Sequence, residues 1–137
     1  MTQTNPNIAA LDPIWDRMLR EAADVVAEEP LMGGMLHAGV LHHKTLEAAL
    51  SFRIAQKLAS ADMPEQMLRE LVDEALALSN IGCDARADLA AVLDRDPATQ
   101  RLIQPLMYFK GFQAVQSHRV AHWLWNNDRK HLAYFIQ

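Results

Sequence analysis

A single cysteine, Cys83, among 137 residues excludes an internal disulfide and any metal site built from several thiolates. Glycine (5) and proline (6) are sparse, which argues against a disordered chain and leaves little material for a phosphate-cradling loop. Positive charge is in deficit. Lys and Arg number 13 against 17 Asp and Glu, a net charge of −4, so nothing is available to neutralise a run of phosphates and no nucleic acid partner is expected. No apolar run approaches the ~20 residues of a membrane span. Met1–Asn7 is polar, with neither the basic start nor the apolar core of a signal peptide. A soluble, cytoplasmic protein without membrane association is the expectation. Sustained strand alternation is also missing, as are internal repeats, low-complexity segments and any run with an aliphatic residue at every sixth position.

What is present is a helical pattern from end to end. With 50% hydrophobic residues the chain can build one domain with a core, and the expected fold is an all-α bundle of seven or eight helices. Asp12-Pro13 reads as an N-cap followed by proline at the first helical position. The stripe behind it is Ile14, Trp15, Met18, Leu19, Ala22, Val25 and Val26, ending near Glu28-Glu29-Pro30. A short glycine-bearing helix is expected over 32–41. Thr45 caps a third, with Leu46, Leu50, Ile54 and Leu58 as its ridge. A fourth begins near Pro64, with Met67, Leu68, Leu71, Val72 and Ala75 inward. Asn80 opens a fifth, reaching about Asp94. Asp96-Pro97 repeats the cap-plus-proline start for a short turn. From Pro105 a long helix is expected to reach Trp125, with Lys110, Gln113 and Ser117 on a narrow polar wedge and apolar residues around the rest. A helix apolar on most sides needs cover on most sides, which points to self-association. Asn126-Asn127-Asp128 breaks the pattern before a last segment ending on Tyr134-Phe135-Ile136 without a cap or polar tail, which fits either a carboxy-terminal helix docked on the core or a fragment of a longer protein.

Few residues invite chemistry. His118 and His122 share a helix face, but Arg119 stands where the zinc-protease motif has its general-base glutamate, so packing is favoured over a metal. No metal site is expected. His42-His43 reads as a solvated helix end, and Cys83, beside Asp84 and without a basic neighbour, as a packing residue. In Asp94-Arg95-Asp96-Pro97, Asp96 suits a helix cap; a carboxylate so fixed also suits a cationic group. No catalytic residue is visible. From the residues alone, a helical assembly or partner-binding domain without catalysis is the competing reading.

The chain resembles the amino-terminal helical domain of bacterial serine O-acetyltransferases over nearly its whole length. The resemblance is carried by Trp15 with Arg20-Glu21-Ala22, Glu29-Pro30-Leu31, Leu46 to Ser51, Arg95-Asp96-Pro97-Ala98, Lys110-Gly111-Phe112 and the stretch His118-Arg119-Val120-Ala121-His122-Trp123-Leu124-Trp125. It departs from the family at Leu102, where an aromatic residue is common, and around Cys83-Asp84-Ala85. The resemblance implies an enzyme that moves an acetyl group from acetyl-CoA to L-serine, giving O-acetyl-L-serine for cysteine biosynthesis. It implies a left-handed parallel β-helix of hexapeptide repeats beyond this chain, carrying the catalytic base and the acetyl-CoA cleft, so that residues 1–137 alone bind no cofactor and are inactive. It implies that helical domains pair two trimers, so the chain should be at least a dimer. It further implies that L-serine and inhibitory L-cysteine meet Asp96, the one substrate-binding residue carried over, and that cysteine synthase is a partner of the whole protein.

Overall fold

The computed structural model describes residues 11–137, so the polar stretch Met1–Asn7 lies outside the described residues. Eight α-helices form, and the described residues contain no strand. The first, α1 (Pro13–Glu28), starts as the sequence dictates: Asp12 accepts the Trp15 amide at 3.2 Å and Pro13 fills the first turn. A 3₁₀ turn (Pro30–Met32), one α turn, α2 (Gly33–Leu36), and a π-type turn (His37–Leu41) follow as one irregular helical stretch. Thr45 caps α3 (Leu46–Leu58) by accepting the Ala48 amide at 3.1 Å. Next come α4 (Glu65–Ala77), with Pro64 as its cap residue, and α5 (Ile81–Arg95). Asn80 precedes α5 as expected but makes no side-chain cap; the Ser79 hydroxyl accepts the Ile81 amide instead, at 3.3 Å.

The core runs around α3, whose Leu46, Leu50 and Ile54 meet Met18 of α1, Leu36 of α2, Leu89 of α5 and Leu106 and Leu124 from later helices. α3 and α4 form a tightly packed helical hairpin. Ser51 Oγ donates to the Arg69 carbonyl at 3.2 Å, and the Arg69 guanidinium lies 5.7 Å from the Phe52 ring centroid. Met67 points outward rather than inward, because the buried face of α4 is set by Leu68, Leu71, Val72 and Ala75.

The expected helix from Pro105 to Trp125 is two helices, α6 (Ile103–Tyr108) and α7 (Lys110–Asn126). Phe109 between them is extended, with φ −89° and ψ 104°. The break lets Leu106 and Met107 before it, and Phe112 and Val120 after it, all reach the core. It also frees carbonyls of α6, and Gln113 Nε2 donates to that of Leu106 at 2.9 Å. Gln113 is therefore buried, not part of a solvated wedge, and Gln116 is fully buried beside it. Val115 and Trp125 face outward instead. A turn at Asp128, whose φ of 58° is the left-handed value asparagine and aspartate tolerate, returns the chain as α8 (Lys130–Ile136) against α7.

Candidate functional site

The segment joining α5 to α6 holds Asp96. α5 ends there with the Asp96 amide donating to the Val92 carbonyl at 2.9 Å. The following Pro97 forces Asp96 out of helical geometry, to φ −97° and ψ 107°. No helix starts at Pro97. Asp96 instead anchors a tight turn: its Oδ1 accepts the Ala98 amide at 2.9 Å, its Oδ2 accepts the Thr99 hydroxyl at 2.9 Å, and its carbonyl accepts the Thr99 amide at 3.0 Å. The expected cap is thus an Asx turn, because one proline alone does not nucleate a helix that has no buried face behind it.

Side chains reached from elsewhere secure the rest of the segment. Gln104 Oε1 accepts the amides of Gln100 (2.7 Å) and Arg101 (2.8 Å). The Leu102 amide donates to both oxygens of the buried Glu21 carboxylate, at 2.9 and 3.2 Å. Arg101 pairs with Glu28 at 2.8 Å, which holds the exposed Glu28 carboxyl below its ordinary pKa. Every amide from Gln100 to Leu102 that would otherwise be orphaned at the start of α6 has a partner. The Asp96 turn is therefore clamped to α1 at one end and to α5 at the other.

Asp96 is half-buried and lines a shallow hollow of about 420 Å³ with Ala91, Val92, Arg95 and Phe109. Phe109 is there because the break between α6 and α7 falls at that residue. Arg95 is exposed and makes no ion pair among the described residues. The hollow presents a fixed carboxylate beside an aromatic ring, an arrangement that suits a small ammonium-bearing ligand. It contains no hydroxyl or thiol nucleophile and no histidine to act as a base.

The histidines lie elsewhere. His118 and His122 are exposed, with ring centroids 6.5 Å apart, and His122 Nε2 bonds to Asn126 Nδ2 at 3.0 Å. They divide two adjoining hollows, neither of which includes Asp96. Among the described residues no group of three or more His, Cys, Asp or Glu side chains is placed to hold a metal ion. Two expectations are corrected. Cys83 is exposed on α5 instead of packed. His43 is buried rather than solvated: its Nε2 bonds the Ala38 carbonyl at 2.8 Å and its ring lies 5.2 Å from that of Phe52. Burial holds the His43 pKa below the usual histidine value, against the pull of that hydrogen bond.

Glu21, Thr99 and Gln104 were invisible to a search for reactive groups. Their positions carried a signal nonetheless. Glu21 falls three residues after Met18, on the inner face of α1, and Thr99 falls three residues after Asp96, where its hydroxyl can return to that carboxylate.

The family described as "Serine acetyltransferase, N-terminal" matches residues 14–117, a span that includes Asp96 and the residues that clamp its turn to α1 and α5. The serine acetyltransferase of Escherichia coli K12 is 41% identical over 128 residues, 93% of this chain and 47% of that protein. The Brucella abortus serine acetyltransferase solved with coenzyme A superposes with a TM-score of 0.89 at 39% identity, covering 94% of this chain and 52% of that one. A serine acetyltransferase solved in complex with cysteine gives 0.87 at 41% identity, covering 90% and 52%. The chain spans about half the length of the relatives it matches. With a family match over most of the chain and this identity, the protein belongs to the serine acetyltransferase family, of which it is the amino-terminal helical domain.

Proposed function

We propose that this chain supplies the serine-recognising helical half of an enzyme that transfers acetyl from acetyl-CoA to L-serine, releasing O-acetyl-L-serine for cysteine biosynthesis. The observation that carries this is the Asp96 carboxylate, held by two hydrogen bonds beside Phe109 in an open hollow. In the reaction the serine hydroxyl attacks the thioester carbonyl, a base removes the hydroxyl proton, and the CoA thiolate leaves. Asp96 takes no part in those bond changes. It holds the serine ammonium, so that the hydroxyl is presented in one orientation. The base and the CoA site belong to a hexapeptide-repeat β-helix following this domain, which agrees with the chain spanning about half of its relatives. Residues 1–137 alone then bind no CoA and transfer no acetyl.

Cysteine carries the same ammonium and competes for the same carboxylate; a related acetyltransferase has been solved with cysteine bound. The helical domains pair with one another, as a dimer at least and within a dimer of trimers in the whole enzyme. Cysteine synthase is a partner of that whole protein. The setting is the cytoplasm; among the described residues no helix is long and apolar enough to cross a membrane.

The test is Asp96→Ala in the full-length enzyme. Loss of a charge-assisted contact is expected to raise the serine KM about 10- to 150-fold, with the acetyl-CoA KM little changed. Asp96→Asn keeps an oxygen for the Ala98 amide but loses the charge. If Asn restores both stability and serine affinity, turn formation alone explains Asp96.

A further inference from the structure

Asp96 has two carboxylate oxygens, and each already accepts one hydrogen bond from inside its own turn: Oδ1 from the Ala98 amide, Oδ2 from the Thr99 hydroxyl, both at 2.9 Å. The two donors differ in kind. The amide bond comes with the turn and any residue at 98 except proline would supply it. The hydroxyl bond depends on the identity of residue 99. One bond to Oδ1 fixes the place of that atom but lets the carboxylate plane swing about it. A second donor on the other oxygen fixes the plane. Thr99 can do this reliably because it is itself immobile. It is buried, at 5% exposure, and its own amide donates to the Asp96 carbonyl at 3.0 Å. Its β-branched side chain has few rotamers to begin with. Each carboxylate oxygen keeps a second lone pair for a ligand, since a carboxylate accepts about four hydrogen bonds.

We propose that Thr99 is a positioning residue for amino-acid recognition: its buried hydroxyl locks the Asp96 carboxylate in the orientation that receives the ammonium group, without touching the ligand. The proposal rests on the reading of Asp96 given above. It adds that the site's affinity depends on an uncharged side chain that does not line the Asp96 hollow. A carboxylate already ordered loses no rotamer freedom when the ligand arrives, and that pre-organisation is what the hydroxyl contributes.

The experiment uses the full-length enzyme with Thr99→Val, which keeps shape and removes the hydroxyl, and Thr99→Ser, which keeps the hydroxyl. Thr99→Val is expected to raise the serine KM about 3- to 10-fold, with kcat and the acetyl-CoA KM within about twofold of the parent. Inhibition by cysteine should weaken by the same factor, and Thr99→Ser should restore both. Added to Asp96→Ala, Thr99→Val should change the serine KM no further, because Thr99 acts only through Asp96. If Asp96→Ala raises the serine KM and Thr99→Val does not, the positioning role is wrong while the role of Asp96 stands. If Asp96→Ala leaves the serine KM unchanged, the reading of Asp96 is wrong and the inference goes with it. A Thr99→Val enzyme in which kcat and both KM values change together would mean a structural role and overturn the proposal. Should Thr99→Val fail to fold, Thr99→Ala measured against Thr99→Ser gives the same contrast.

Discussion

A Cβ built on Gly39 would lie 2.8 Å from Arg53 Nη2 and 3.1 Å from Met107 Sδ. Both neighbours are buried, and they bond each other at 3.0 Å. Arg53 is an uncommon core residue. Its Nη1 donates to Gln56 at 2.9 Å, no carboxylate pairs with it among the described residues, and desolvation lowers its pKa. Neither tip can withdraw without losing the other. Gly39→Ala is therefore expected to destabilise by about 1–2 kcal/mol, overpacking outweighing the gain in helix propensity. At Gly111, in the first turn of α7, a Cβ meets nothing within 4 Å. Gly111→Ala should be neutral or stabilise by up to about 1 kcal/mol. Urea unfolding of the two variants side by side checks both, and equal midpoints would refute the assignment of Gly39 to close packing. Residue-level expectations failed in one consistent way. Cys83 and His43 are each assigned by chemical type, whereas burial depends on what the position meets in the fold: His43 follows an irregular stretch and meets Phe52, and Cys83 lies on the solvent side of α5. That information is tertiary.

Between elements, one guanidinium joins three helices. Arg86 of α5 binds Asp12, the cap of α1, through Nη2 at 2.5 Å and Nε at 3.3 Å, and it pairs with Glu47 in the first turn of α3. Gly82 leaves room for that arrangement; a Cβ there would collide with the Glu47 carboxylate. Hydrogen bonding to Arg86 is the main reason that the pKa of Asp12 lies below 3.8 and that of Glu47 below 4.5, with burial opposing in each case. The unfolded chain then binds more protons than the folded one as pH falls past these values. The stability gained from the pair is complete above the unfolded pKa values and is lost as pH drops through the lower folded ones. Arg86→Gln should accordingly lower the urea midpoint at pH 7, and the gap from the parent should narrow as pH is taken below about 4. A gap that is constant from pH 7 to pH 3 would exclude this role. Element starts were legible where a cap had a local signature: Asp12-Pro13 and Thr45 both behave as read. The break at Phe109 was not legible. No glycine or proline marks it, and it is stabilised by contacts that only the folded chain supplies, Gln113 to Leu106 among them.

At the scale of the whole molecule, apolar surface remains uncovered on the late helices. Trp125 (41% exposed) and Tyr134 (58%) pack edge to face at 5.6 Å, with Lys130 Nζ 4.9 Å from the Trp125 ring centroid. Tyr108, Val115 and Phe135 are also exposed. Exposed aromatic clusters of this kind mark interaction surfaces. Light scattering of the 15.4 kDa chain at low micromolar concentration should find at least a dimer, and a homogeneous monomer would refute self-association. The all-α class was legible because its periodicity is repeated in every segment. The hollow around Asp96 was not, since Phe109 reaches Ala91 and Arg95 of α5 only when the break between α6 and α7 forms. The clamps on α1 have a further consequence in time. Asp12, Glu21 and Glu28 bind Arg86, Leu102 and Arg101, which lie 74, 81 and 73 positions later in the chain. On the ribosome these three carboxylates lack those partners until α5 and the α5–α6 turn have been synthesised. At 5–20 residues per second that is a delay of about 4–16 s, during which Trp15 and Met18 lack their final cover. The polar docking of α1 therefore waits for the α5–α6 turn, and the same step fastens the turn that carries Asp96.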